Sequence, residues 1–173
     1  MNLNYHNLLP VDFQSSSRIW IYQSNRLFTI SEVLEMEDVL NSFVESWQSH
    51  GAPVKGFAGV LFGQFILLMA DETTTTLGGC STDSSVKLIK WIETRFQVRL
   101  FDRQSLAFVV KDKIQLLPYT QLAYAVENGF IHADTLYFNN TIQTKNELEE
   151  NWIIPVKKSW LKNRVIFKQL TDP

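Results

Sequence analysis

An unbroken apolar run, FILLMA from Phe65 to Ala70, constrains the fold of this chain more than any other feature. A strand that is apolar on both faces must be covered on both, so the run predicts the central strand of a sheet. A membrane-spanning helix needs about 20 apolar residues, so the run is too short to cross a bilayer. A second apolar run, Phe57–Phe62, precedes it. Gly63-Gln64 between the two suits a tight β-hairpin.

Two helices are predicted on either side of this hairpin. The first is expected over residues 30–49, because Thr29 and Glu32 have the spacing of a capping box and apolar residues recur at helical intervals. Gly51 and Pro53 then stop it. The second is expected over residues 84–96, with Leu88, Ile92 and Phe96 as its buried stripe.

The order of elements in residues 18–118 predicts the fold class. A strand over 18–24 precedes the first helix, and a hairpin with strands at 106–110 and 114–117 follows the second. The order β-α-β-β-α-β with an extra strand predicts an α+β fold with a ferredoxin-like, split β-α-β antiparallel sheet. Residues 1–17 are expected to form an irregular arm and residues 119–173 a helical C-terminal extension, all within a single domain, 1–173.

Composition and charge exclude several classes of protein. Hydrophobic residues make up 45% and charged residues 20% of the chain, as in globular domains. The net charge is −2 without a basic block, which argues against nucleic-acid binding. One cysteine and the absence of a basic, apolar leader predict a cytoplasmic protein without disulfides. Open antiparallel sheets often pair between chains, so a homodimer is expected.

The stretch GGCSTDSSV, which holds the only cysteine, is the candidate functional site. It lies where a strand and a loop lead into the second helix. Helix N-termini offer unpaired N–H groups and a positive dipole end, which favour a small anionic ligand. The alternative is a helix cap without a ligand. The candidate site comprises Gly78, Gly79, Cys80, Ser81, Thr82, Asp83, Ser84 and Ser85.

Three familiar chemistries use a short glycine- or cysteine-containing stretch of this kind. A P-loop needs a lysine after its second glycine, where this chain has Cys80. A phosphatase-type cysteine loop would need an arginine at Val86. A nucleophilic Cys80 would need a base. His50, at the end of the first helix, could lie at the same end of the sheet, but the sequence does not show that the two side chains touch. Charged and polar residues at the ends of other elements are possible neighbours of this stretch, namely Arg26, His50, Asp71, Asp102 and Arg103. Spacing indicates no metal ligands, and no cofactor is expected.

Several blocks occur in order along the chain: SRIWIYQSNRLFT, SHG, FILLMADE, GCSTDSSVK, LFDR, DTLYFNN and a late SW. In this order they resemble an uncharacterised family of short bacterial proteins often labelled "ABC transporter ATPase". The resemblance runs from Ser17 to Trp160. The label implies a nucleotide-binding domain, but the chain carries no P-loop, Walker-B acid or signature motif, so no catalytic residue is carried over.

These observations leave three functions open. The first is a non-enzymatic binding or interaction module with an anion site at a helix N-terminus. The second is an enzyme that uses the loop from Cys80 to Asp83. The third is the ATP-binding protein that the family label suggests, which the missing P-loop disfavours.

Overall fold

The structure, a computed structural model, describes residues 1–167. It is an α+β protein whose strands form antiparallel sheets. The described residues divide into two compact units. The N-terminal unit comprises Asn2–Asp102 and Asn140–Glu149. The C-terminal unit comprises Met1, Arg103–Asn139 and the described residues from Glu150 onward. Within the described part of the chain, no helix is both long and apolar enough to cross a membrane.

The N-terminal unit is built on a three-stranded antiparallel sheet with two long helices. A two-stranded ladder follows the first helix. The strands are β1 (Arg18–Gln23), β2 (Gln48–Ser49), β3 (Ala52–Pro53), β4 (Lys55–Leu61) and β5 (Phe65–Asp71), and the helices are α1 (Ile30–Ser46) and α2 (Gly79–Phe96). The sheet order is β1-β5-β4.

Strand β5 is central, as its apolar run predicts. All seven of its residues are buried. Ile66 and Leu68 join a core cluster with apolar residues of α1 and α2, so the helices cover one face of the sheet. Phe65 points to the other face, where its ring meets the edge of Phe62, and Phe62 in turn meets Tyr5 of the N-terminal arm. Covering on both faces explains why this strand has no polar side.

Helix α1 begins as its capping box predicts and ends earlier than expected. The Thr29 hydroxyl accepts from the Glu32 N–H, and the Glu32 carboxylate accepts from the Thr29 N–H. The helix stops at Ser46 rather than Ser49, because the next residues form the β2–β3 ladder. His50 and Gly51 turn that ladder with φ values of 52° and 80°, a conformation no helix contains.

The N-terminal arm is held to the N-terminal unit by hydrogen bonds. Lys145 is buried, with 7% of the residue exposed. Its ammonium donates to the carbonyls of Pro10 and Phe13 at 2.9 and 3.0 Å. The Tyr5 hydroxyl donates to the carbonyl of Leu148. The arm is irregular, as expected, but its anchor lies more than a hundred residues along the chain.

The C-terminal unit contains a four-stranded antiparallel sheet. The strands are β6 (Ser105–Val110), β7 (Lys113–Pro118), β8 (Leu136–Phe138) and β9 (Ile153–Pro155). Their order in the sheet is β7-β6-β8-β9. Helix α3 (Leu122–Glu127) follows a 3₁₀ turn, and helix α4 (Lys145–Asn151) begins in the N-terminal unit. The core of the C-terminal unit combines the sheet residues Phe108 and Tyr137 with residues of α3 and with Val156 and Leu161 of the later turns.

This second sheet corrects two expectations about the fold. A ferredoxin-like sheet needs a fourth strand beside β1, but the predicted strand at 106–110 pairs with β7 and β8 instead. The ferredoxin-like order is therefore not shown. The region expected as a helical extension contributes β8 and β9 to the sheet besides its short helices. Residues 168–173 of that predicted extension lie outside the described residues.

Replacing two glycines of β4 with alanine is expected to affect the free energy of unfolding in different ways. A Cβ on Gly56 would lie 2.8 Å from Cε3 of Trp47, a side chain that is 2% exposed and cannot move aside. Gly56→Ala is expected to lower the free energy of unfolding by about 1–3 kcal/mol. A Cβ on Gly59 meets only Phe57 at 3.5 Å, an ordinary contact. Gly59→Ala is expected to be neutral or slightly stabilising. Urea unfolding followed by circular dichroism compares them, and equal losses would contradict the overlap.

Candidate functional site

The candidate stretch is helical almost from its start. Helix α2 begins at Gly79 rather than Ser84, and Gly78 is its extended N-cap residue. The predicted loop from Gly79 to Asp83 is therefore the first turn of a helix. The small polar residues allow this because a serine or threonine hydroxyl can bond a carbonyl three or four positions back along the helix.

All four hydroxyl groups of this stretch donate to backbone carbonyls at the start of α2. Ser81 and Thr82 donate to the carbonyl of Gly78 at 2.8 and 3.1 Å. Ser84 and Ser85 donate to the carbonyls of Ser81 and Thr82, both at 2.7 Å. A hydroxyl has one proton, so none of these four side chains has a proton left for an anion. This arrangement weakens the predicted anion site.

The structure brings His50 to the start of α2, as the topology suggested. Its imidazole lies against Gly78, where a Cβ would be 2.6 Å from the ring Nε2. Beside it, the buried Ser49 hydroxyl accepts from the Gly78 N–H at 3.0 Å and donates to the Thr76 carbonyl at 2.7 Å. The Cys80 thiol is exposed and makes no hydrogen bond within residues 1–167. The ring therefore packs on the helix start without engaging the thiol.

Asp71 belongs to an ion pair at the end of β5. Its carboxylate is 1% exposed and accepts from the N–H groups of Gln14 and Thr73, and Lys55 lies 3.2 Å away. Burial acts to raise the pKa of Asp71, but the bonds from Thr73, Gln14 and Lys55 outweigh it and lower the pKa to about 2. This carboxylate stays ionised and fastens the N-terminal arm to the sheet.

Arg26 and Asp102 lie towards the end of α2 that is opposite the candidate stretch. Arg26 donates to the carbonyl of Phe96, the last residue of α2, and makes two bonds to Glu32. Helix α2 has 18 residues and is about 27 Å long, so Arg26 lies at its opposite end. Asp102 follows that same end, and Arg103 belongs to the C-terminal unit.

A pocket of about 540 Å³ opens in the C-terminal unit, where the sequence indicated no site. Its lining is mainly apolar, with two lysines and one glutamine. Phe130, at 63% exposure, is the most exposed large apolar side chain of the lining. The lining residues are Phe108, Val110, Lys111, Lys113, Gln115, Leu116, Leu117, Ala125, Phe130 and Ile131.

The β6–β7 register explains where this pocket forms. Val110 pairs with Lys113 and Phe108 with Gln115, so these four side chains share one face of the hairpin. Phe108 on that face is fully buried in the core. Towards the tip the same face carries the exposed Lys113 and Gln115, and α3 contributes only Ala125 to the lining. The pocket is the uncovered end of the core.

Sequence reasoning missed this pocket, although one signal was present. Along β7 the core-facing positions read Lys113, Gln115 and Leu117, a polar-to-apolar gradient on one face. A lysine on the face that continues into the core indicates that the core ends at that position, because lysines are rarely buried without a partner. The core face could only be recognised once the pairing partners were known.

Comparisons of the chain with protein-family models, with curated proteins and with solved structures find no match. Within residues 1–167, no group of three or more His, Cys, Asp or Glu side chains is placed to hold a metal ion.

Proposed function

We propose that this protein is a non-enzymatic binding module and that the pocket of the C-terminal unit is its binding site. The observation that carries the proposal is the pocket itself, with about 540 Å³ of space and a mainly apolar lining. Small-molecule sites have volumes of about 300–1,000 Å³, apolar walls and a few polar groups that orient the ligand. The pocket fits this description in size and in chemistry.

The helix start at Gly78–Ser85 remains a weaker candidate for an anion. The open space beside Gly79 and the helix dipole support it. The four hydroxyl protons already used within α2 count against it. The enzyme alternative has less support still, because the exposed Cys80 thiol has no hydrogen-bonded base among residues 1–167. The ATP-binding alternative lacks the lysine of a P-loop.

A homodimer in the cytoplasm is part of the same proposal. Leu27, just before α1, and Ile30 and Leu34, in its first two turns, are 60%, 83% and 60% exposed. An apolar row of this kind suits contact with a second copy. An exposed free thiol, Cys80, suits a reducing compartment. Sedimentation velocity over a range of protein concentrations tests the dimer.

Binding at the pocket predicts that Phe130→Ser weakens uptake of a neutral apolar dye such as Nile red. The Phe130 ring lines the pocket and is 63% exposed, so its loss removes a wall without emptying the core. Losing most of an aromatic contact is expected to raise the Kd of the dye about tenfold. Fluorescence titration measures it. Tyr124→Ser is the matched control, because Tyr124 is also 63% exposed but does not line the pocket.

A pocket-filling variant provides the second test. Val110→Trp places a large ring in the pocket, whereas Val109→Trp changes the neighbouring residue, whose cross-strand partner is Ile114 on the other face. The Val110 variant is expected to abolish dye binding and to retain the native circular dichroism spectrum. The Val109 variant is expected to keep dye binding. The proposal would be overturned if Phe130→Ser and Val110→Trp both bound the dye as tightly as the wild type does. It would also be overturned if the wild type did not bind the dye.

A further inference from the structure

We propose that the ligand of this pocket is a small amphipathic carboxylate, with its apolar tail on the floor of the pocket and its head between Lys111 and Lys113. This inference rests on the proposed binding function and adds the chemical class of the ligand. It depends on three observations, namely the charge at the mouth of the pocket, the geometry of the hairpin tip and the apolar floor.

The charge at the mouth is positive and unpaired. Lys111 and Lys113 both line the pocket and are exposed. Neither ammonium forms an ion pair within residues 1–167. The carboxylate between them, Asp112, does not line the pocket and lies 3.4 Å from the amino group of Met1. Two cations therefore face the pocket without a neutralising side chain on its wall.

The hairpin tip holds the two lysines close together. Lys111 and Asp112 form the turn between β6 and β7, with φ values of 50° and 57°. Two left-handed residues in succession are typical of the tight type I′ turn, whose twist matches that of the flanking strands. Lys113 pairs with Val110 across the hairpin. The lysines thus extend from one short, rigid tip at the edge of the apolar space.

The floor beneath this tip suits an uncharged tail. Phe108 and Ile131 are buried, Leu117 is half-buried, and all three line the pocket. An aliphatic or aryl group there gains from burial, while Lys113 can lay its methylene stem along the wall and keep its ammonium in water. Gln115, on the same face as Lys113, adds an amide donor next to the head group.

A ligand that satisfies all three features carries one negative charge at one end. A neutral molecule of the same tail would leave the two ammonium groups without a partner. A cation of the same tail would be repelled by them. Exposed ion pairs are individually weak, so two of them are expected to favour the carboxylate over the alcohol by about fivefold at low salt.

Competition for the neutral dye tests this selectivity on the full-length protein. Decanoate, decanol and decylammonium, each kept below its micelle-forming concentration, compete with Nile red in a fluorescence displacement titration. Decanoate is expected to displace the dye at about one-fifth of the decanol concentration, and decylammonium is expected to be weaker than either. Raising the salt concentration should reduce the difference. In the Lys111→Gln/Lys113→Gln double variant, the three competitors should displace the dye at nearly equal concentrations. Lys90 is an exposed lysine of α2, and the control variant Lys90→Gln should leave the order of the three competitors unchanged.

Each outcome decides the question. Equal displacement by decanoate and decanol in the wild type would overturn the carboxylate inference and leave the apolar binding function standing. A decanoate preference that survives in the double variant would also overturn it, because the charge would then act from elsewhere. Failure of the wild type to bind the dye would overturn both proposals. A decanoate preference that the double variant alone loses supports the inference.

Discussion

Trp47→Ala is expected to lower the free energy of unfolding by about 3–5 kcal/mol, the largest effect of a single substitution considered for this chain. The Trp47 indole is 2% exposed and lies at the end of α1. Its ring centroid is 5.0 Å from that of Phe43 and 6.3 Å from that of Trp20, and its Nε1–H donates to the carbonyl of Ser81 at 3.0 Å. One side chain therefore joins α1, β1 and the first turn of α2.

Two variants separate the contributions of the Trp47 ring and its N–H group. Trp47→Phe keeps an aromatic ring but removes the hydrogen bond to the Ser81 carbonyl, which still accepts from the Ser84 hydroxyl, so a smaller loss of about 0.5–1.5 kcal/mol is expected. Trp91→Ala is the matched control, because Trp91 is 45% exposed on α2 and its loss should cost less than about 1 kcal/mol. Urea unfolding followed by circular dichroism measures all three. Equal losses for Trp47→Ala and Trp91→Ala would contradict the central role of Trp47.

Lowering the pH from about 4 to 2 is expected to remove about 2 kcal/mol of stability through Asp71 alone. The pKa of this carboxyl is lowered from 3.8 to about 2 in the folded protein. A lowered pKa means that the folded state binds the proton less tightly than the unfolded chain. The contribution to stability is therefore complete above about pH 4 and is lost as the pH falls through 3.8 towards 2.

The difference in unfolding free energy between wild type and Asp71→Asn isolates this effect. Measured by urea unfolding at several pH values, the difference should shrink by about 2 kcal/mol between pH 4 and 2. Glu32, whose pKa is also lowered to about 2 by Arg26 and the Thr29 N–H, titrates in the same range but cancels in the difference. Lys55→Gln should keep most of the pH dependence, because Thr73 and Gln14 contribute more than Lys55 does. A difference that stays constant with pH would refute the assignment.

The local elements of this fold could be predicted because their signals lie within short stretches. The capping box at Thr29 and Glu32 and the buried strand at Phe65–Ala70 were both readable without a partner. The hairpin at 105–118 was found within a residue or two at each end for the same reason. Helix α2 began earlier than expected because serine and threonine hydroxyls at its start bond within the helix, which residue type alone does not reveal.

Strand partners and the pocket could not be predicted, because both depend on residues far apart in the chain. The β6 strand reads equally well as the edge of a ferredoxin-like sheet and as a neighbour of β8, and only the pairing of Phe108 with Tyr137 decides between them. The lining of the pocket combines the β6–β7 hairpin with residues of α3 and of the segment after it. The position of His50 against Gly78 depends in the same way on the packing of distant elements, because the element order allowed the two to lie at one end of the sheet without showing that they touch.

The anchoring of the N-terminal arm has a consequence for synthesis on the ribosome. Residues 2–17 emerge well over a hundred residues before Lys145, which binds Pro10 and Phe13. The segment around Lys145 also supplies the Gln143 carbonyl that accepts from Ile19 of β1. Domains often fold in the order in which they are made. Here residues 2–17 must wait for this later segment, so the N-terminal unit completes its folding only after most of the intervening part of the C-terminal unit has been translated.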